Sequence, residues 1–181
     1  MKLHRQVLTV VIVMLGLLSP AIAQHQPYAG MQARPIKALS DQQIADLRAG
    51  RGMGLALAAE LNGYPGPSHV LELSKELELS QSQREQIERL FAAMKAETIP
   101  IGERLIALEG DLDHQFASRT ITPVSLTTSA NEIGIVQGNL RAAHLKYHLL
   151  TLELISAQQV TRYSELRGYM PSLQQRHHPA Q

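Results

Sequence analysis

Between residues 79 and 159 the chain carries two long apolar periods, separated by a proline-marked turn and bracketed by one repeated motif. Few folds accommodate that arrangement. The stretch opens Leu79-Ser80-Gln81-Ser82-Gln83 and closes Ile155-Ser156-Ala157-Gln158-Gln159, so an aliphatic residue, a Ser and a Gln three further on stand at both ends. A Ser at an N-cap accepts a hydrogen bond from a free N–H of the first turn, and a Gln at N3 reaches back to the cap's own N–H. After the first motif, Ile87, Leu90, Phe91, Met94, Ile101, Leu105, Leu108, Leu112 and Phe116 follow in steps of mostly three and four, which marks one face of a helix. Pro100 falls inside this period and removes the hydrogen bond to the carbonyl of Ala96, so a kink is expected there. Thr122 as N-cap and Pro123 at N1 open the second helix, where Leu126, Ile133, Leu140, Tyr147 and Leu154 recur every seven residues. A seven-residue repeat suits shallow-angle packing against an antiparallel neighbour. Folding the pair about residues 120–121 matches positions whose numbers sum to about 241, because both helices rise equally per residue. Ser80 and Ser156 then meet at the open end. The expected fold is all-α, a long antiparallel helical hairpin with its first helix kinked near Pro100.

Composition agrees with this reading. With two Phe, five Tyr and no Trp, the core has to come from Leu, Ile, Ala and Met, which suits helix packing better than a sandwich of sheets. The 181 residues suffice for one domain with a core. Lys2 and Arg5, the apolar run over residues 7–18 and the small residues of Ala21-Ile22-Ala23 read as a secretory signal peptide over residues 1–23. The alternative is an uncleaved anchor, but the run falls short of the roughly 20 apolar residues of a membrane span. Cleavage leaves no stable membrane anchor and implies a periplasmic protein. No Cys is present, so packing alone must stabilise it. The formal charge is +1, and loss of Lys2 and Arg5 turns it to −1. Neither balance favours nucleic acid as a partner.

The rest divides into an N-terminal arm with short helices over residues 24–67, the hairpin domain over residues 68–170 and a flexible tail over residues 171–181. Residues 24–37 hold Pro27, Gly30 and Pro35 without an apolar period and read as an extended arm. Ser40-Asp41-Gln42-Gln43 is a further capping box, opening a short helix that Gly50 stops. Residues 52–61 read as a second short helix, and Ser68 as the cap of a third after the Tyr64-Pro65-Gly66-Pro67 turn.

Two copies of [Leu/Ile]-Ser-x-x-Gln flanking a helical hairpin behind an export signal resemble the LTxxQ-motif periplasmic family. That family joins Spy/CpxP-like chaperones to metal-responsive relatives such as ZraP and CnrX. The matching positions are Leu79, Ser80 and Gln83, then Ile155, Ser156 and Gln159, with Ser in place of Thr in both copies and Ile in place of Leu in the second. The resemblance covers residues 68–170 and implies an antiparallel homodimer. It also implies ATP-independent binding of unfolded envelope proteins, restraint of a membrane sensor protein, or heavy-metal sensing. Spy-like members use a basic concave surface, from which the near-neutral charge of this chain departs.

The spacing His144-x-x-x-His148 sets two imidazoles on one helix face, where they could grip a divalent ion such as Zn, Cu, Ni or Co. The hairpin register places His144 opposite Glu97 and His148 near Met94, giving a candidate mixed site of His144, His148, Glu97 and Met94. The competing reading is a pair of half-buried histidines in ordinary hydrogen bonds. No Glu follows His144, so this is no zincin. His69 and His114 read as solvent-facing, as do the acidic Glu103, Glu109, Asp111 and Asp113. Neither a nucleophile–base set nor a phosphate loop is present, and no enzymatic activity is expected.

Overall fold

A computed structural model describes residues 28–169 of the chain. The signal-peptide reading and the tail histidines His177 and His178 therefore lie outside the described residues. Among the described residues all regular structure is helical, without a strand, and two long helices dominate. No described helix is long and apolar enough to cross a membrane.

The long helices begin where the caps place them. In α4, Gln81–Ala117, the Ser80 hydroxyl accepts from the Gln83 N–H at 3.1 Å and the Gln83 side chain accepts from the Ser80 N–H at 3.0 Å. In α5, Pro123–Leu152, Thr122 caps, Pro123 sits in the first turn, and Ser125 takes the reaching-back role. Pro100 lies inside α4, which is helical on both sides of it. Hydrogen bonds from Gln115 to Ser129 and from Tyr147 to Glu97 show the two helices antiparallel, close to the expected register. Their shared core is Leu105, Ile106, Leu108, Ile133 and Leu140.

The N-terminal segment is fastened to this pair. Helix α1, Asp41–Arg48, carries the complete Ser40–Gln43 capping box and buries Leu47 against Leu105 and Leu140. Gly102 permits that approach: a Cβ there would stand 2.7 Å from the Leu47 carbonyl oxygen. The extended arm expected before it instead meets the hairpin from Ile36 onward. It holds a short 3-10 turn, Met31–Ala33, and Lys37 reaches Asp113 through its backbone N–H at 3.2 Å and its ammonium at 3.0 Å. That pairing holds the Asp113 carboxyl below the usual carboxylate range. Likewise Glu103 pairs with Arg48, and burial raises the Glu109 carboxyl, so the acidic group is only partly a solvated face.

Two local expectations need correction. The helix expected over residues 52–61 shrinks to α2, Leu57–Glu60, because Met53 and Gly54 take left-handed backbone with φ of 45° and 83°. Ser68 is not a cap: Gly66 holds that place for α3, Pro67–Glu72, since Pro67 with its fixed φ occupies N1. Helix α6, Ala157–Leu166, starts at the Ser156 capping box and closes a second core of Val70, Leu77, Ile87, Ile155 and Tyr163.

Candidate functional site

The two repeated motifs become one structure. Having capped its own helix, Gln83 turns its amide N–H group to the Gln159 oxygen at 2.9 Å and to the Leu154 carbonyl at 2.9 Å. Gln159 answers with donation to Gln83 at 3.2 Å and to the Leu77 carbonyl at 3.1 Å. Leu79 packs at the edge of the second core and Ile155 inside it. Every amide group is committed to this clasp, so its role is structural.

The histidine pair is arranged differently from an ordinary pair of half-buried rings. Both are buried on α5, and each has one ring nitrogen fixed by a backbone carbonyl. His144 Nδ1 lies 2.9 Å from the Leu140 oxygen, and His148 Nδ1 lies 2.6 Å from the Tyr64 oxygen. A carbonyl only accepts, so Nδ1 carries a proton in both rings, and in the neutral form of each ring Nε2 is the lone-pair end. His144 Nε2 is the one buried side-chain nitrogen or oxygen among the described residues without a hydrogen-bond partner. Both rings and Met94 line a cavity of about 400 Å³, roofed by the glycine-rich segment of residues 50–54. Gly52 lets this roof close down, since a Cβ there would stand 3.3 Å from the His144 ring. Gly66 does the same at His148, with a Cβ only 2.8 Å from the ring.

Glu97 is not in this group. Its carboxylate is taken by Lys146 at 2.5 Å and by the Tyr147 hydroxyl at 2.8 Å. Lys146 first, and then Tyr147, hold the Glu97 carboxyl below the usual range. Among the described residues no set of three or more His, Cys, Asp or Glu is grouped to hold a metal. Of the four sequence-derived candidates the fold brings together His144, His148 and Met94. Glu97 goes elsewhere because residues 146 and 147 share its register and bring complementary groups.

A residue that sequence reasoning passed over lies beside the cavity. Glu60, at the end of α2, is 5% exposed and accepts from the Tyr163 hydroxyl, from the Tyr169 hydroxyl at 3.0 Å and from the Gly66 N–H at 3.3 Å. His69 Nδ1 stands 3.3 Å away, His148 Nδ1 3.7 Å and Arg167 Nε 3.8 Å. Burial alone would raise this carboxyl, but the bonds from His69, Tyr163 and Tyr169 outweigh it and hold the group down at about 2. Tyr163 is pushed well above its ordinary value by burial and by the carboxylate, so it stays a donor. His69, expected to face solvent, is thereby part of a carboxylate hub joining α2, α3, α5 and the C-terminal end of α6. The sequence signal was slight: one acid in the small-residue run Leu-Ala-Ala-Glu-Leu.

No protein-family model, curated protein or solved structure matches the chain. The LTxxQ resemblance rests on the sequence motifs alone.

Proposed function

We propose that the protein is a Spy/CpxP-like periplasmic binding protein, which shields unfolded envelope proteins or modulates a membrane sensor without ATP. The observation that carries this reading is the outward side of α5. Opposite the buried row of Ile133, Leu140, Tyr147 and Thr151, helical spacing aligns Val124, Asn131, Ile135, Gly138, Ala142 and Leu149, all of them exposed. Val124 is 77% exposed, Ile135 63% and Leu149 54%. The only charges on the whole of α5 are Glu132, Arg141 and Lys146, and of these only Lys146 borders the row.

An exposed helix face normally carries the charges that keep it in water. An uncharged row with large apolar residues at intervals suits transient contact with apolar segments, and its small residues allow a partner backbone to come close. In this reading a bend at Pro100 curves the hairpin, and an antiparallel dimer covers part of the α5 row. The N-terminal segment occupies the other side of the hairpin, which leaves α5 as the working surface.

The test is light scattering from an aggregating, chemically unfolded client with equimolar protein. The wild type should slow aggregation, and the Ile135→Lys/Leu149→Lys variant, folded by circular dichroism, should lose most of that effect. A wild type without any effect on several clients and without a co-purifying sensor would end the proposal.

A further inference from the structure

The geometry points to a binding site for a soft monovalent metal ion, of the Cu(I) or Ag(I) class, formed by His144 Nε2, His148 Nε2 and the Met94 thioether. The primary observation is the orphan nitrogen. A buried acceptor without a donor costs free energy unless something occupies it. His144 is only 3% exposed, its ring cannot turn without breaking the Leu140 bond, and the residue is part of the cavity lining. Four residues on, His148 is locked in the same tautomer by Tyr64 and presents its own Nε2. Fixing of the second ring nitrogen by a carbonyl is how metal-binding imidazoles are oriented.

The charge of the surroundings selects the ion. Of the carboxylates at or near the cavity, Glu97 is held by Lys146 and Tyr147, Glu60 is occupied by the tyrosines, Gly66 and His69, and the exposed Glu72 accepts from the Ser68 hydroxyl at 3.3 Å. The remaining donors are neutral. A buried divalent ion held by neutral donors keeps its full double charge out of water, whereas a monovalent ion carries half of that burden. A thioether beside imidazoles is a soft set that favours Cu(I) over Zn(II) or Ni(II). A second methionine, Met53, stands between Gly52 and Gly54 in the roof. The site needs no feature of the α5 outer row, so it stands or falls separately from the chaperone reading.

The experiment uses the full mature chain with His177→Ala and His178→Ala, which removes the tail imidazoles from the readout. Ag(I) is titrated calorimetrically in chloride-free buffer, with ¹⁵N spectra of the histidine side chains recorded alongside. Expected are one ion per chain, movement of the Nε2 signals of His144 and His148, and Zn(II) binding roughly tenfold or more weaker than Ag(I). Met94→Leu, which keeps core volume, and His144→Ala should each weaken Ag(I) by roughly tenfold or more. Unmoved Nε2 signals, Ag(I) affinity unchanged in Met94→Leu, or tighter binding of Zn(II) each overturn the assignment. If His144→Ala does not fold, the wild-type spectra and Met94→Leu still decide it.

Discussion

The side-chain amides of Gln83 and Gln159 exchange hydrogen bonds across the open end of the hairpin, at 2.9 and 3.2 Å, while each also completes the capping box of its own helix. One residue type thus fixes where two helices start and ties those starts together. A Ser-x-x-Gln box alone, such as Ser40–Gln43 on α1, performs only the first task.

Gln83→Ala should therefore cost more than Gln43→Ala. Loss of a box contributes on the order of 1 kcal/mol, and the part-buried carbonyl of Leu154 and the Gln159 amide left unpaired add about 1–3 kcal/mol. Urea unfolding measures both variants. Because the two amides share partners, the Gln83→Ala/Gln159→Ala double variant should lose less than the separate losses combined, with a coupling of at least about 0.5 kcal/mol. Strict additivity would mean that the clasp is not formed.

Glu60 makes stability depend on pH. Its carboxyl drops from 4.5 in the unfolded reference to about 2 in the fold, so the folded state favours the ionised form. A depressed acid contributes stability that is complete above the unfolded value and disappears as pH falls through the folded one. Each unit corresponds to 1.36 kcal/mol, so about 3 kcal/mol should be lost between roughly pH 5 and pH 2. Chemical denaturation across this range should show the loss in the wild type. Glu60→Gln should start less stable at pH 7 and show a much flatter profile.

Glycines of α4 and α5 should respond to alanine with opposite signs. Ala is the better helix former by about 1 kcal/mol at any interior position. At Gly134 and Gly138 a Cβ meets nothing within 4 Å, so Gly→Ala should stabilise by up to about that amount. At Gly102 the new methyl meets the backbone oxygen of Leu47 at 2.7 Å, and backbone cannot step aside without moving α1. Overpacking of this kind costs about 1–3 kcal/mol, so Gly102→Ala should be destabilising. Thermal melts of the three variants give the signs directly.

What could be read from the sequence was whatever repeats locally. The Ser40, Ser80, Thr122 and Ser156 caps and the two apolar periods are patterns within a turn or a few turns, and each determines an element without help from the rest. That the Ser80 and Ser156 motifs lie at one open end followed from equal rise along the two long helices, whereas the exchange between Gln83 and Gln159 depends also on the turn that sets α6 behind α5. The Glu60 hub is of another kind: its partners Gly66, His69, His148, Tyr163, Arg167 and Tyr169 are spread over more than half of the described chain, with no shared period. The docking of residues 36–67 on the hairpin was hidden for a similar reason. It depends on close approaches at Gly50, Gly52 and Gly102, and a glycine in a sequence does not say what it makes room for.

Glu97 tests how far register can be trusted for assigning ligands. It was expected opposite His144, yet the carboxylate meets Lys146 and Tyr147, because a long acidic side chain can bridge to any donor within about a turn of its opposite number. Glu97→Gln should remove the ion pair and leave an amide oxygen that still accepts from Tyr147. The pair is partly exposed, so unfolding free energy should fall by no more than about 1 kcal/mol. The Tyr147 hydroxyl, raised first by burial and next by Glu97, should titrate lower in this variant while remaining above its ordinary value. Proton-coupled ¹³C shifts of the tyrosine ring measure that change. Ag(I) affinity should match that of the wild type, and a marked loss in Glu97→Gln would return the carboxylate to the metal site.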